Sequence, residues 1–411
     1  MNNKVLIAIA DGVGDLPNME LNNLTPLQYA KTPNLDELAK TGSSGIMDLL
    51  SVGVPVGTDL GHLLLLGYKH SEYPGRGPIE AAGIGLDVKG GDVAFRCNFG
   101  TIDEDGVVVD RRAGRINENT SELADSLNGI EVDGVKVIFK EATEHRAVLI
   151  LRGKNLSGKV TDTDPKLPNM GLSYKKSIAS NDSEAAVKTA DVLNKVLQEF
   201  RKILSEHPVN KKRVEEGKFP ANFILTRGAG QVPDMPKMTE KLGFKGACVA
   251  SEATVLGVAS LAGFETICKD GMTGNIDTDV KLKASLALEA LKENDVVLLH
   301  YKATDLMGHD NDPLGKVNAI EKYDEMLSYV MSDRPENTLI VLAADHSTPC
   351  VREEHSGDPV PVVFNGPNIR VDGVVQYNEI DCAEGSINRI NASEFSNMVY
   401  DYLWLSEKQG N

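Results

Sequence analysis

Two hydrophobic patterns alternate along this chain, and each switch between them marks an element. Lys4 to Ala10, Val296 to Leu299 and Thr338 to Ala343 are apolar runs with almost no polar interruption, as strands buried on both faces require. Elsewhere apolar residues recur at helical spacing: Ala186, Ala190, Leu193, Leu197, Phe200 and Leu204; then Leu282, Leu286 and Ala290; then Val317, Ile320, Tyr323, Leu327 and Val330. Thr32-Pro33 reads as a helix N-cap followed by proline at the first helical position, with Leu35, Leu38 and Ala39 facing inward. Asn222 to Thr226 and Val360 to Phe364 read as further strands. Strands that alternate with helices in this way predict a parallel sheet.

The middle of the chain has a different texture. Residues 73–86, rich in Gly and Pro, read as a loop leading out of the first α/β segment. From about Asp92 come short strands (Val93 to Cys97, Val107 to Val109, Val135 to Phe139, Ala147 to Leu151) separated by turn signals such as Asp105-Gly106 and Asp133-Gly134. Residues 158–180 are polar and contain proline, as a return linker would. The organisation predicted is a discontinuous α/β domain, 1–90 with 181–411, carrying a smaller α+β domain inserted at 91–180.

Composition narrows the function classes. The chain has 411 residues and a net charge of −17, so a nucleic-acid or membrane-surface role has no global electrostatic support. An anionic substrate needs a local basic pocket or bound cations. The five cysteines are scattered without a CxxC pair and read as reduced thiols; with no signal-peptide core and no apolar stretch of bilayer length, the expected location is the cytoplasm.

The chemistry sits where the apolar runs end. Val296 to Leu299 leads into His300, Lys302, Asp305, His309, Asp310 and Asp312; Lys4 to Ala10 ends in Asp11-Gly12; Thr338 to Ala343 leads to Asp345-His346, with His355 in the loop beyond. Open α/β sheets place their sites at the C-terminal ends of strands. A mixture of carboxylate oxygen and imidazole nitrogen suits Zn²⁺ or Mn²⁺ rather than Ca²⁺. With histidine only 8 of 411 residues, three of them beside strand-terminal aspartates point to a metal site. Thr58 follows Gly57 at the start of a leucine-rich helix, where a hydroxyl is either a simple cap or a place for a phosphate among free backbone N–H groups. In the insertion, Arg96, Arg111, Arg112, Arg115, His145, Arg146 and Arg152 concentrate positive charge. Arg111-Arg112-x-x-Arg115 is either a candidate anion clamp or a solvated strand edge.

Taken together, Asp11-Gly12, Gly57-Thr58-Asp59, Asp305-x-x-Gly308-His309, Asp345-His346 and the run from His355 to Val362 resemble the alkaline phosphatase superfamily in order and spacing. Within it, residues 75–86, 92–102, 110–116 and 144–153 resemble the archaeal-type cofactor-independent (2,3-bisphosphoglycerate-independent) phosphoglycerate mutases, nearly end to end. The resemblance implies an alkaline-phosphatase-like, three-layer, mostly parallel sheet with the inserted domain. It implies two divalent ions (Mn, Zn, Co or Mg) and no organic cofactor. Asp305, His309 and His355 would bind one ion; Asp11, Asp345 and His346, with the Thr58 oxygen, would bind the other. Thr58 would carry the phosphoryl group between the two positions of phosphoglycerate, and Lys302 would neutralise charge on it. Arg96, Arg111, Arg115, His145 and Arg146 would hold the substrate. The chain departs from that family at Thr58, where serine is usual, and at Ser347, where glycine is frequent; the threonine methyl predicts slower turnover or a somewhat different substrate.

Three readings remain open at this point. One is the mutase; the second is a metal-dependent phosphatase or another phosphomutase on the same scaffold; the third is a metal-stabilised binding protein without catalysis. A sulfatase is disfavoured because no Cys-x-Pro-x-Arg surrounds position 58, and a phosphohistidine mutase because the chain has no Arg-His-Gly. His62 reads as a residue that packs beside or supports the site, and His70 and His207 as surface residues. The oligomeric state is not legible.

Overall fold

In the computed structural model, which describes residues 3–166, 171–233 and 236–410, the strands in chain order are β1 (Lys4–Ala10), β2 (Ser43–Asp48), β3 (Val93–Ile102), β4 (Val108–Asp110), β5 (Glu131–Val132), β6 (Val135–Glu141) and β7 (Arg146–Arg152), followed by β8 (Phe223–Gln231), β9 (Gly246–Val249), β10 (Glu265–Ile267), β11 (Val296–Tyr301), β12 (Thr338–Ala343), β13 (Val360–Asn365) and β14 (Asn388–Asn391). They fall into two units, Met1–Tyr73 with Pro236–Asn411 and Pro74–Met235.

In the first unit, among the described residues, eight strands form one sheet in the order β10-β9-β11-β1-β12-β13-β2-β14. The pairings from β10 through β12 are parallel, and β13 runs antiparallel between β12 and β2. β1 lies between β11 and β12, so Asp11 emerges between the ends of the two strands that lead to Asp305 and Asp345. Consecutive strand residues point to opposite faces. At the end of β11, His300 meets His62 of the helix Thr58–Leu65 at 5.2 Å between ring centroids, while Tyr301 meets Tyr323 of the helix Pro313–Asp333 at 5.9 Å. Helices therefore cover both faces, and the predominantly apolar composition of β1, β11 and β12 follows from that double burial. The helix Pro33–Lys40 buries Leu35, Leu38 and Ala39 as expected, but Thr32 does not cap it: the carboxylate of Asp324 accepts from Asn34 N at 2.9 Å and Leu35 N at 2.8 Å instead.

The second unit is antiparallel throughout, β4-β3-β7-β6-β5 with β8 on β3. Its edges lie outside the expected 91–180. The helix Glu184–Glu206 and β8 belong to it because β3 carries β7 on one side and β8 on the other, and the helix's apolar stripe covers that sheet. Phe200 meets Phe139 of β6 at 5.2 Å. The stretch 73–86 is not all loop: Arg76–Gly83 is a helix. Pro78 lies in its first turn, where no N–H is needed. Gly77 is there for close approach, since a Cβ would lie 2.2 Å from the Ala94 carbonyl oxygen. The expected return linker, 158–180, includes 167–170, which lie outside the described residues.

Candidate metal centre

Every residue of the candidate centre belongs to the first unit, and three strand ends deliver most of them. Asp11 follows β1, Lys302 and the helix Ala303–His309 follow β11, and Asp345 and His346 follow β12. Carboxylate and carbonyl oxygens only accept hydrogen bonds, which fixes the protons on the rings. His309 Nδ1 lies 2.8 Å from the Glu353 carbonyl and His355 Nδ1 2.8 Å from that of Val56, so each ring carries its proton on Nδ1. Their bare Nε2 atoms then face each other at 3.2 Å, and each lies 3.5 Å from Asp305 Oδ1. Lone pairs at that separation repel unless a cation lies among them. Ligands at ~2.1 Å from a tetrahedral ion are roughly 3.4 Å apart, the spacing found here.

His346 is fixed in the same way. Thr348 donates its hydroxyl proton to Asp305 Oδ1 at 2.6 Å, so it accepts from His346 Nδ1 at 3.0 Å. His346 Nε2 is thereby turned toward Asp11 Oδ1 at 3.3 Å, Asp345 Oδ2 at 3.2 Å and Thr58 Oγ1 at 3.2 Å. The two carboxylate oxygens are buried and have no hydrogen-bond donor, an arrangement that is costly without positive charge beside them. This donor set fits a hard divalent cation. Without one, burial opposes charging of His346, but Asp345 and Asp11 push its pKa up to about 10. Asp11 is held well below the usual carboxylate range: burial and Asp345 oppose its ionisation, but Lys302, His300 and His346 prevail.

Other side chains support this cluster. Lys302 Nζ bridges Asp11 Oδ2 at 3.1 Å and Asp305 Oδ2 at 2.6 Å. His300 Nε2 donates to Asp11 Oδ2 at 2.9 Å. His62 Nδ1 reaches the Thr58 carbonyl at 2.9 Å and Asp345 Oδ2 at 3.3 Å, which ties the first turn of the Thr58–Leu65 helix to a cluster carboxylate. Thr58 is the first residue of that helix, after Gly57, where free N–H groups and the helix dipole favour an anion. His62, read from sequence as a residue that packs beside or supports the site, does stand against it; sequence reasoning missed Thr348. The signal for Thr348 was its place two residues past Asp345-His346; for His300 it was a polar residue in an otherwise apolar strand. Ser347, where glycine is frequent, fits because Gly14 stands opposite: a Cβ there would lie 2.1 Å from Ser347 Oγ, which donates to the Asp358 carbonyl.

In the second unit, Asn98, Arg111, Arg112, Arg115, Glu144, His145, Arg146 and Arg227 line a concavity of about 260 Å³. Four of the five residues expected to hold substrate are in it; Arg96 is not, and pairs with Glu80 at 2.6 Å. Arg111 is bound by both its Nε and Nη2 to Asp164. Ala113 and Arg115 both adopt positive φ, a backbone strain that functional turns often store. Arg227, on β8, was not singled out from sequence because its strand appeared to belong to the other domain. Burial and the charges of Arg112 and Arg146 push the His145 pKa down, so its ring is neutral at pH 7.

The profile of the 2,3-bisphosphoglycerate-independent phosphoglycerate mutase family matches residues 39–210. The chain is 45% identical to 2,3-bisphosphoglycerate-independent phosphoglycerate mutase 1 of Methanothermobacter thermautotrophicus, over 99% of this chain and 100% of the relative. Among solved structures it is similar to a Pyrococcus horikoshii protein (36% identity, TM-score 0.84, all of both chains) and to the cofactor-independent phosphoglycerate mutase of Thermoplasma acidophilum (36%, TM-score 0.78, 98% of this chain and 100% of that one). No helix among the described residues is long and apolar enough to cross a membrane.

Proposed function

This chain belongs to the 2,3-bisphosphoglycerate-independent phosphoglycerate mutase family, and we propose that it interconverts 3-phosphoglycerate and 2-phosphoglycerate through a phosphothreonine at Thr58. Asp305, His309 and His355 would hold one divalent ion, and Asp11, Asp345 and His346, with the Thr58 oxygen, a second. Such ions acidify a coordinated hydroxyl and offset charge on a transferring phosphoryl group.

The remaining steps belong to the chain's own side chains. Thr58 Oγ attacks phosphorus, forming the Oγ–P bond as the bond from phosphorus to the 3-oxygen of glycerate breaks. Free N–H groups of the first helical turn receive the phosphoryl oxygens. Lys302 spends two of its three N–H groups on Asp11 and Asp305, and the third remains for an equatorial oxygen. Arg112, Arg115, Arg146 and Arg227, with His145, would hold the glycerate carboxylate while the molecule turns. Its 2-hydroxyl then attacks phosphorus and the bond to Thr58 breaks; the proton lost by Thr58 in the first transfer goes to the departing 3-oxygen, and the proton lost by the 2-hydroxyl in the second returns to Thr58 Oγ. Arg111 would act through its pair with Asp164 as a fixed wall of that concavity.

The observation that carries this reading is Thr58 Oγ1 3.2 Å from His346 Nε2, beside two buried carboxylate oxygens without donors. The test is purified protein with 3-phosphoglycerate and no 2,3-bisphosphoglycerate, before and after chelation. 2-Phosphoglycerate formed only with metal supports the mutase; free phosphate as the sole product would replace it with a phosphatase.

A further inference from the structure

The ligand-bearing loops are stitched together by a lysine that touches none of the ligands. Lys316, on the helix Pro313–Asp333, is fully buried. Its ammonium donates to the carbonyls of Gly12 at 2.9 Å, Gly14 at 3.3 Å and Thr348 at 2.8 Å, and to Asp15 Oδ2 at 2.8 Å. Two of the carbonyls lie in the loop that begins at Asp11, and the third lies two residues past His346. Asp15 in turn accepts from Cys350 N, in the loop after β12.

These loops approach as closely as backbone permits. Thr348 N lies within 3.3 Å of both the Gly12 and Gly14 carbonyls, and a Cβ on Gly12 would lie 2.4 Å from Thr348 Oγ1. The approach turns three carbonyl oxygens and a carboxylate toward one point, where they repel unless a cation joins them. Burial alone does not require such an arrangement in a lysine: Lys283 is as deeply buried and its Nζ has no hydrogen-bond partner.

We propose that Lys316, paired with Asp15, is a positioning residue that sets the separation of the loops after β1 and β12, and thereby the placement of Asp11, Asp345 and His346 around a divalent cation. This rests on the reading that those three residues hold metal. It acts through backbone, one residue from Asp11 and two from His346, so a small displacement of either loop is passed directly to the ligands.

Removing one member of a buried ion pair strands the other, so Lys316→Met alone confounds stability with positioning. Lys316→Met/Asp15→Asn removes both charges and leaves the Cys350 N–H an acceptor. The experiment is calorimetric titration of metal-stripped wild type and both variants with Mn²⁺ alone, beside guanidinium unfolding of each without metal. Positioning is supported if the double variant recovers most of the metal-free stability lost by Lys316→Met yet still binds Mn²⁺ about 10–100-fold more weakly than wild type at its tighter-held equivalent. It is overturned if either variant binds Mn²⁺ as wild type does, or if neither folds without metal, which would make the pair a support of the fold alone. Wild type that takes up no Mn²⁺ overturns the metal reading itself, before any variant is compared.

Discussion

The two candidate ligand clusters are built from the same residue types and differ in what surrounds them. Asp11, Asp345 and His346 are at most 2% exposed, and side chains support each of them: His300 and Lys302 on Asp11, His62 on Asp345, Thr348 on His346. In the other cluster, the His309 and His355 side chains are 33% and 16% exposed and are oriented by the backbone carbonyls of Glu353 and Val56. The exposed carboxylate of Glu354 stands beside these two rings. A dry cluster makes each charge costly to misplace; an open one can exchange its ion with solvent.

That contrast breaks most readily by mutation. Asp345→Asn should remove one metal equivalent per chain and lower turnover of 3-phosphoglycerate by about 10³-fold, with no rescue by added metal, because a charge is lost where water cannot replace it. His309→Ala should instead weaken metal retention by about 10–100-fold and recover much of its turnover at millimolar Mn²⁺. Elemental analysis and rates across a Mn²⁺ series would separate the two, and identical behaviour of both variants would erase the distinction between dry and open.

A titration sharpens it. In the metal-free protein His346 has a pKa near 10 against 6.5 for an ordinary histidine, because the charges of Asp345 and Asp11 outweigh the burial that opposes them. A folded-state pKa above the unfolded one stabilises the fold fully below pH 6.5, and the benefit is lost as pH rises through 10. The metal-free protein should therefore lose on the order of a few kcal/mol across that window, measured as a falling denaturant midpoint. His346→Gln should abolish this component of the fall. A bound cation competes with the ring proton, so Mn²⁺ uptake near pH 8 should release a proton, read in buffers of different ionisation enthalpy.

How much of this was legible depended on how local each signal was. The apolar runs of β1, β11 and β12 and the aspartates at their ends lie in single short stretches, so the core of the sheet and the candidate ligands at its strand ends could be read directly. The parallel order of strands followed from alternation with helices. β8 could not be assigned, because a strand's pattern does not record which neighbour it pairs with or in which direction; its partner β3 lies more than a hundred residues earlier. The helix Arg76–Gly83 was hidden by a glycine whose purpose, contact with the Ala94 carbonyl, is tertiary. Arg111 looked like a free clamp residue because Asp164, 53 positions away, is invisible to spacing. Partners far apart in sequence are what a single chain without its fold leaves out.

The smallest effect concerns Thr58, which joins only the dry cluster. Its hydroxyl is set by the helix start and by His346 Nε2, while its methyl stiffens χ1 of the oxygen proposed to attack phosphorus and later to leave it. Thr58→Ser removes the methyl and keeps the oxygen. If the dry cluster already holds that oxygen, metal stoichiometry should not change and kcat should rise a few-fold, corresponding to about 1 kcal/mol in the barrier. A fall in kcat with loss of one metal equivalent would mean that the methyl itself packs the hydroxyl into place, and that the cluster alone does not fix the nucleophile.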